Sequence, residues 1–134
     1  MKHYNISAAV ILVEDRVFCV QRGESKFDYI SKKFEFPGGK IEEGESEAEA
    51  LIREIKEELN LNIENLNKFI IVNHKYPDFE ITMNVFQCNC TNFQDLILHE
   101  HLSYKLLSTN ELISLDWAEA DIPIVNKLIA LNGK

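Results

Sequence analysis

The chain has 134 residues, 46% hydrophobic and 27% charged, with 22 acidic side chains against 14 basic ones and a net charge of −8. That length suits one compact domain, residues 1–134, with apolar material enough for a core without disulfide or structural metal. The acidic balance argues against a long nucleic acid, whose backbone needs clustered Lys and Arg, and no apolar run approaches the roughly 18–20 residues of a membrane span.

In chain order, β-branched-rich runs at 4–13 and 16–22 flank Glu14-Asp15 and predict a hairpin. The N-terminal apolar run is short, is followed at once by Glu14 and has no small-residue cleavage site, so it reads as a strand rather than a signal peptide. Phe34-Glu35-Phe36 reads as a short strand stopped by Pro37-Gly38-Gly39. A helix is expected at 46–59, then strands at 66–75 and 80–90 joined by a Tyr76-Pro77-Asp78 turn. Residues 91–103 read as loop and Tyr104–Leu107 as a strand. Ser108 and Glu111 have capping-box spacing for a short helix. A last helix spans about Asp121 to Leu131, with Asp121 as its N-cap two residues before Pro123. Strands and helices are interspersed without strict alternation, which predicts an α/β sandwich with a mixed sheet. Cys19, Cys88 and Cys90 form no CxxC pair and read as free thiols in a reducing, cytoplasmic setting.

The helix 46–59 carries the chemistry. Ser46 and Glu49 form a capping box, and Asn60 stands where a helix often ends in a left-handed residue. Ala48, Leu51, Ile52, Ile55 and Leu59 make the expected buried stripe. Glu47, Glu54, Glu57 and Glu58 crowd another side, where like charges three or four apart each cost roughly 0.2–0.5 kcal/mol. A solvated charged face explains such a cluster on an arbitrary helix. Hard divalent cations also offset the repulsion, because Mg²⁺ takes oxygen ligands and keeps waters that phosphates can replace. The preceding Pro37-Gly38-Gly39 favours the second explanation, since glycines let backbone approach an ion or phosphate closely.

Residues 39–61 resemble the Nudix box. Gly39, Glu45, Arg53, Glu54, Ile55, Glu57, Glu58 and Leu61 stand at the family's spacing, and Asn60 replaces the usual Gly at a position whose left-handed backbone Asn can adopt. The resemblance implies a Nudix-type α/β/α sandwich with a mixed β-sheet, and a hydrolase that binds Mg²⁺, or Mn²⁺ in its place, between protein and substrate phosphates. It makes Glu57, Glu58 and the Gly38 carbonyl metal ligands, and Glu54 a ligand or the group that orients the attacking water. Arg53 would fix glutamate rotamers, with Glu45 as its counter-charge. Glu100 stands where several relatives place a further glutamate, as ligand or general base; a solvated loop carboxylate is the alternative. His99 and His101 read as structural, because nitrogen ligands are not what Mg²⁺ needs.

The resemblance runs through nearly the whole chain and is closest to MutT-type nucleoside triphosphate pyrophosphohydrolases. It makes Arg22 a phosphate contact and Glu35 and Phe36 lining of the nucleoside pocket. At Asp121 the MutT branch carries Asn, whereas related CTP and methylated-dCTP pyrophosphohydrolases have a similar Ala-Asp-Ile-Pro segment. Ionised Asp has acceptors only and suits the cytosine amino group. Phe79 replaces a ligand-contacting Arg of MutT. The expected reaction is therefore hydrolysis of a nucleoside triphosphate to monophosphate and pyrophosphate, leaning to a CTP or (methyl-)dCTP-type substrate. An 8-oxo-dGTP-sanitising enzyme and a non-catalytic nucleotide-binding module are the alternatives. The expected partner is a small nucleotide, not a membrane or long nucleic acid, on a monomer or homodimer.

Overall fold

The computed structural model describes residues 1–132. The chain runs β1 (Lys2–Val13), β2 (Arg16–Gln21), β3 (Phe34–Glu35), β4 (Gly38–Lys40), α1 (Glu47–Leu59), β5 (Ile63–Lys75), β6 (Phe79–Cys90), β7 (Ser103–Leu107) and α2 (Ile122–Asn132). Single 3₁₀ segments lie at Phe93–Asp95, Thr109–Ser114 and Glu119–Asp121. The strands form one seven-stranded sheet in the order β3-β2-β1-β6-β5, with β4 also on β1 and β7 also on β2. β1 and β6 are parallel from Lys2↔Phe79 to Leu12↔Asn89, and the other pairs are antiparallel. The sheet is mixed, as expected.

Strand alternation builds two cores from β1. Ala8 and Val10 face one cluster, Ala9 and Ile11 the other, and all four are buried. Leu51, Ile55 and Leu59 of α1 cover the Ala9–Ile11 face together with Phe18 and Val20. Ile124, Val125 and Leu128 of α2 cover the opposite face with Leu112 and Trp117. The result is an α/β sandwich with helices on both faces of the sheet. Among the described residues no helix is long and apolar enough to cross a membrane.

The site arises where β1 and β2 part. They pair only beside the hairpin, at Leu12↔Val17 and Val13↔Arg16, around Glu14 and Asp15 with φ of 50° and 67°. Beyond that point one segment bridges both strands: β3 pairs with β2 at Val20↔Glu35, and β4 pairs with β1 at Ile6↔Lys40 through Ala8↔Gly38. The Ala9 amide donates to the Pro37 carbonyl (2.8 Å) and closes the join.

Four local expectations change. Pro37-Gly38-Gly39 is not merely a stop, because Gly38–Lys40 is a strand; a Cβ on Gly38 would lie 1.9 Å from the Ser7 carbonyl oxygen, so only glycine permits this pairing. Ile52 is 46% exposed, and Ala50 is buried instead, because the contact row with the sheet is the narrow Leu51–Ile55–Leu59 line. The Ser108 capping box opens a 3₁₀ segment rather than an α-helix. Asp121 does not serve as an N-cap: it ends the 3₁₀ turn before α2, and its carboxylate accepts from the distant Phe36 amide (2.9 Å).

Candidate active site

α1 begins and ends as its local sequence dictates. The Ser46 hydroxyl accepts from the Glu49 amide and the Glu49 carboxylate accepts from the Ser46 amide, while Asn60 adopts φ 58°, ψ 32°. This fixes the rotation of the helix, and with it the glutamate row. Glu54 folds back over the glycine loop so closely that a Cβ on Gly39 would lie 2.3 Å from its carboxyl carbon. Glu58 turns inward with Glu54, and its Oε2 is buried without a hydrogen-bond partner among the described residues. Glu57 stays outside, 61% exposed at its side chain.

Glu100 arrives from the far end of the chain. The loop after β6 is hooked onto the C-terminus of α1: the Ile97 amide donates to the Leu59 carbonyl (3.0 Å), His99 to Glu58 (3.2 Å), and the Asn60 side chain to the Asp95 carbonyl (3.1 Å). Glu100 thereby reaches hydrogen-bonding range of Glu58. Burial, then the charge of Glu100, then that of Glu54 push the Glu58 carboxyl up to about 9.

A divalent cation fits this set. The donors are all oxygen, Glu58 Oε2 is orphaned, and the carboxylates repel one another. Among the described residues no group of three or more His, Cys, Asp or Glu side chains is placed to hold a metal ion by itself. An open set that leaves places for water and phosphate oxygens suits Mg²⁺, which dehydrates reluctantly.

Arg53 stands behind the carboxylates. Its Nε donates to Glu45 Oε2 (2.6 Å), Nη2 to Glu45 Oε1 (2.9 Å) and the Lys40 carbonyl (3.1 Å), and Nη1 to Glu54 (3.0 Å) and Glu57 (3.3 Å). A guanidinium has five N–H donors, and these five bonds use all of them. Arg53 therefore holds the surrounding carboxylates and the Lys40 carbonyl, with no donor left over. Its hydrogen bonds, together with the Glu42 amide, hold the Glu45 carboxyl down to about 2.

A cleft of about 790 Å³ opens from Gly38, Gly39, Glu58 and Glu100 to Arg22, Glu35, Phe36 and Asp121. Arg22, at the end of β2, is partly exposed and donates from Nη1 to Glu35 (2.9 Å). Its other guanidinium donors make no further side-chain hydrogen bond among the described residues, though Asp121 lies close enough for its charge to act on Arg22. Phe36 stacks on Trp117 (4.8 Å between centroids) and is buried. Asp121 is 5% exposed; burial first and Glu35 second raise its carboxyl well above the ordinary Asp range, against the opposing pull of the Phe36 amide and Arg22. A protonated Asp121 offers a donor as well as an acceptor, so its lean toward an amino group is weaker than the ionised form implies.

Two residues take a place at the site that the sequence did not assign: His101, read there only as structural, and Tyr76, read only as a turn residue. His101 is 7% exposed at its side chain, and its Nε2 lies 3.2 Å from Glu35 Oε2, which latches the Glu100 loop to β3. Tyr76, expected as a turn residue, lines the cleft and is buried. Neither has a local signal: each is defined by a partner more than 40 positions away.

The NUDIX domain model matches residues 1–128. An 8-oxo-dGTP diphosphatase of Escherichia coli (strain K12) is 33% identical over 84 residues, which is 62% of this chain. That matched stretch spans 64% of the relative's own length. A CTP pyrophosphohydrolase of the same organism is 27% identical over 99% of this chain and 96% of its own. Among solved structures, a MutT protein of methicillin-resistant Staphylococcus aureus 252, described as a Nudix hydrolase family member, superposes with a TM-score of 0.71 at 36% identity, covering 98% of this chain and 99% of its own.

Proposed function

The chain belongs to the NUDIX domain family, and we propose that, as one domain over residues 1–134, it hydrolyses a nucleoside triphosphate to the monophosphate and pyrophosphate. Convergence of Glu54 and Glu100 on Glu58, where Glu58 and Glu100 line one end of a cleft that carries Arg22, Glu35 and Asp121 at the other, supports this reading above all. The phosphates would lie against the carboxylates, the nucleoside against Phe36 and Asp121.

The Gly38 carbonyl, Glu54, Glu57, Glu58 and Glu100 would hold Mg²⁺, or Mn²⁺ in its place. When bound, such an ion supplies neutralisation of phosphoryl charge and a lower pKa for coordinated water. The protein's own share is positioning, which dominates phosphoryl transfer. Arg53 locks Glu54 and Glu57 in place through Glu45 and the Lys40 carbonyl. Arg22 balances charge on the phosphate chain. Glu54 or Glu100 takes the proton of the attacking water as its oxygen joins phosphorus. The anhydride P–O bond breaks, and its bridging oxygen leaves with one phosphate fragment.

For the base, a CTP or (methyl-)dCTP-type substrate is the first reading, supported by Asp121 and by the full-length likeness to a CTP pyrophosphohydrolase. An oxidised guanine nucleotide is the second, supported by the raised pKa of Asp121, which restores the donor and acceptor that Asn has. A purely binding module fits poorly with a chain that keeps Glu54, Glu57 and Glu58 together. Cys19, Cys88 and Cys90 are all free thiols, which supports a reducing, cytoplasmic setting. Pyrophosphate release from a panel of ribo- and deoxynucleoside triphosphates, with oxidised and methylated bases included, tests the proposal. Turnover of none of them with Mg²⁺ or Mn²⁺ would overturn it.

A further inference from the structure

Tyr76 closes the floor of the cleft beside Asp121, and its hydroxyl is only half used. The oxygen accepts a hydrogen bond from the Ala120 amide (3.0 Å). Among the described residues no oxygen or nitrogen accepts the hydroxyl's own proton. A phenol is donor and acceptor at once, and a buried donor left without a partner costs about 1–3 kcal/mol. Asp121, the next residue after Ala120, is likewise half used: Oδ1 is taken by the Phe36 amide, and Oδ2 has no hydrogen-bond partner among the described residues.

The ring that carries this hydroxyl is clamped. Tyr29 stacks on one side (5.3 Å, 26°), His74 meets it edge-on (4.4 Å, 68°), and Phe79 tilts against it (5.1 Å, 42°). Tyr29 is itself tied to Asp78 (2.7 Å). Conjugation keeps a phenolic O–H near the ring plane, and the Ala120 amide occupies one side of the oxygen. The proton's direction is therefore set before any ligand arrives. Burial also pushes the hydroxyl up to about 12, so it remains a donor throughout the physiological range.

Resting on the nucleotide reading of this cleft, we infer that Tyr76 is a specificity-determining residue whose hydroxyl donates to an acceptor on the base, a ring nitrogen or carbonyl oxygen, next to the group that Asp121 binds. The two side chains together present a fixed pair of polar positions to one edge of the base. Bases are then told apart by whether an acceptor sits at the Tyr76 position. A site that buries a donor rejects a ligand lacking the matching acceptor far more strongly than a greasy pocket rejects a misfit. Tyr76 touches no reacting atom, so its effect belongs to KM and to the choice among bases.

The test compares kcat and KM of the wild type and Tyr76→Phe across nucleoside triphosphates. The panel includes base analogues in which a single acceptor is removed: ring nitrogen replaced by C–H, or a carbonyl by hydrogen. The inference expects roughly a tenfold loss in kcat/KM for the preferred nucleotide in Tyr76→Phe, mainly in KM. It also expects a similar loss when the wild type meets one of the acceptor-deleted analogues, and no further loss when Tyr76→Phe meets that analogue. Equal losses for every base, as expected if Tyr76 merely accepts the Ala120 amide, would overturn it. The analogue arm on the wild type stands even if Tyr76→Phe fails to fold: analogues bound as tightly as the parent nucleotide would overturn it too. A wild type that turns over no nucleoside triphosphate would instead overturn the underlying reading, and this inference with it.

Discussion

Gly39 and Glu54 share one space: a Cβ on residue 39 would lie 2.3 Å from the Glu54 carboxyl carbon and 2.5 Å from its Oε2. The intruder would meet the far end of a flexible side chain, so the backbone need not move. Gly39→Ala should therefore fold, with a melting temperature within a few degrees of wild type, while the displaced Glu54 lowers kcat by a large factor, roughly tenfold or more. Gly38→Ala differs, because its Cβ would meet the Ser7 carbonyl oxygen at 1.9 Å. That variant should lose several kcal/mol, beyond the roughly 1–3 kcal/mol of ordinary overpacking. Thermal unfolding of the two variants beside activity separates them; a Gly39→Ala protein with full activity would show that Glu54 has room to spare.

The Arg53–Glu45 pair predicts a stability profile at acid pH. The Glu45 carboxyl is held at about 2, below its ordinary 4.5, by Arg53 first and the Glu42 amide second. Its contribution is fully present above 4.5 and disappears as pH falls toward 2. Glu45→Gln should flatten the unfolding free energy over that window. It should also lower activity at neutral pH, because two donors of Arg53 lose their anionic partner. Denaturant unfolding from pH 7 down to pH 2 measures the slope, and parallel profiles for the two proteins would contradict the pairing.

Those two relationships differ in how far they could be read in advance. The capping box Ser46/Glu49, the left-handed Asn60 and the row Leu51–Ile55–Leu59 are local patterns, and the structure repeats them. Spacing alone also put Glu54, Glu57 and Glu58 together, but not which would turn inward; that depends on the Gly39 backbone and on Glu100. β4 was hidden because two glycines look like a turn until a distant strand, β1, offers its edge. Asp121 looked like a helix cap because its neighbours supply that signal, whereas its partner, the Phe36 amide, is 85 positions away. Long-range hydrogen bonds of this kind leave no period in the sequence.

Glu58→Gln should move stability and activity in opposite directions. In the metal-free protein Glu58 is a buried carboxyl with an orphaned oxygen, pressed by Glu54 and Glu100. A neutral amide needs no proton taken up on folding, so the substitution should stabilise the metal-free protein at neutral pH by about 1 kcal/mol, a few degrees in Tm. The stabilisation given by added Mg²⁺ should shrink at the same time, and turnover should fall at least a hundredfold. Calorimetric scans with and without Mg²⁺ supply the comparison. A variant that keeps the full Mg²⁺-induced shift in Tm would remove Glu58 from the ligand set.

Asp121→Asn and Asp121→Ala separate the structural role of this side chain from its role toward the base. Burial, with Glu35, raises the Asp121 carboxyl well above its ordinary 3.8. A folded-state pKa above the unfolded one means that stability is full below 3.8 and falls as pH rises toward the raised value. Asn cannot ionise but still accepts the Phe36 amide, so Asp121→Asn should match wild type near pH 4 and exceed it increasingly at higher pH. Asp121→Ala instead leaves the buried Phe36 N–H without an acceptor, at a cost of about 1–3 kcal/mol near pH 4 that narrows as the wild type loses stability at higher pH. Toward substrate, Asn always offers both donor and acceptor groups, so Asp121→Asn should shift relative kcat/KM among bases, most visibly between cytosine and oxidised guanine nucleotides. Unfolding free energies between pH 4 and 9 check the first part and substrate competition the second. An unchanged ranking of bases would confine Asp121 to tying the start of α2 onto the end of β3.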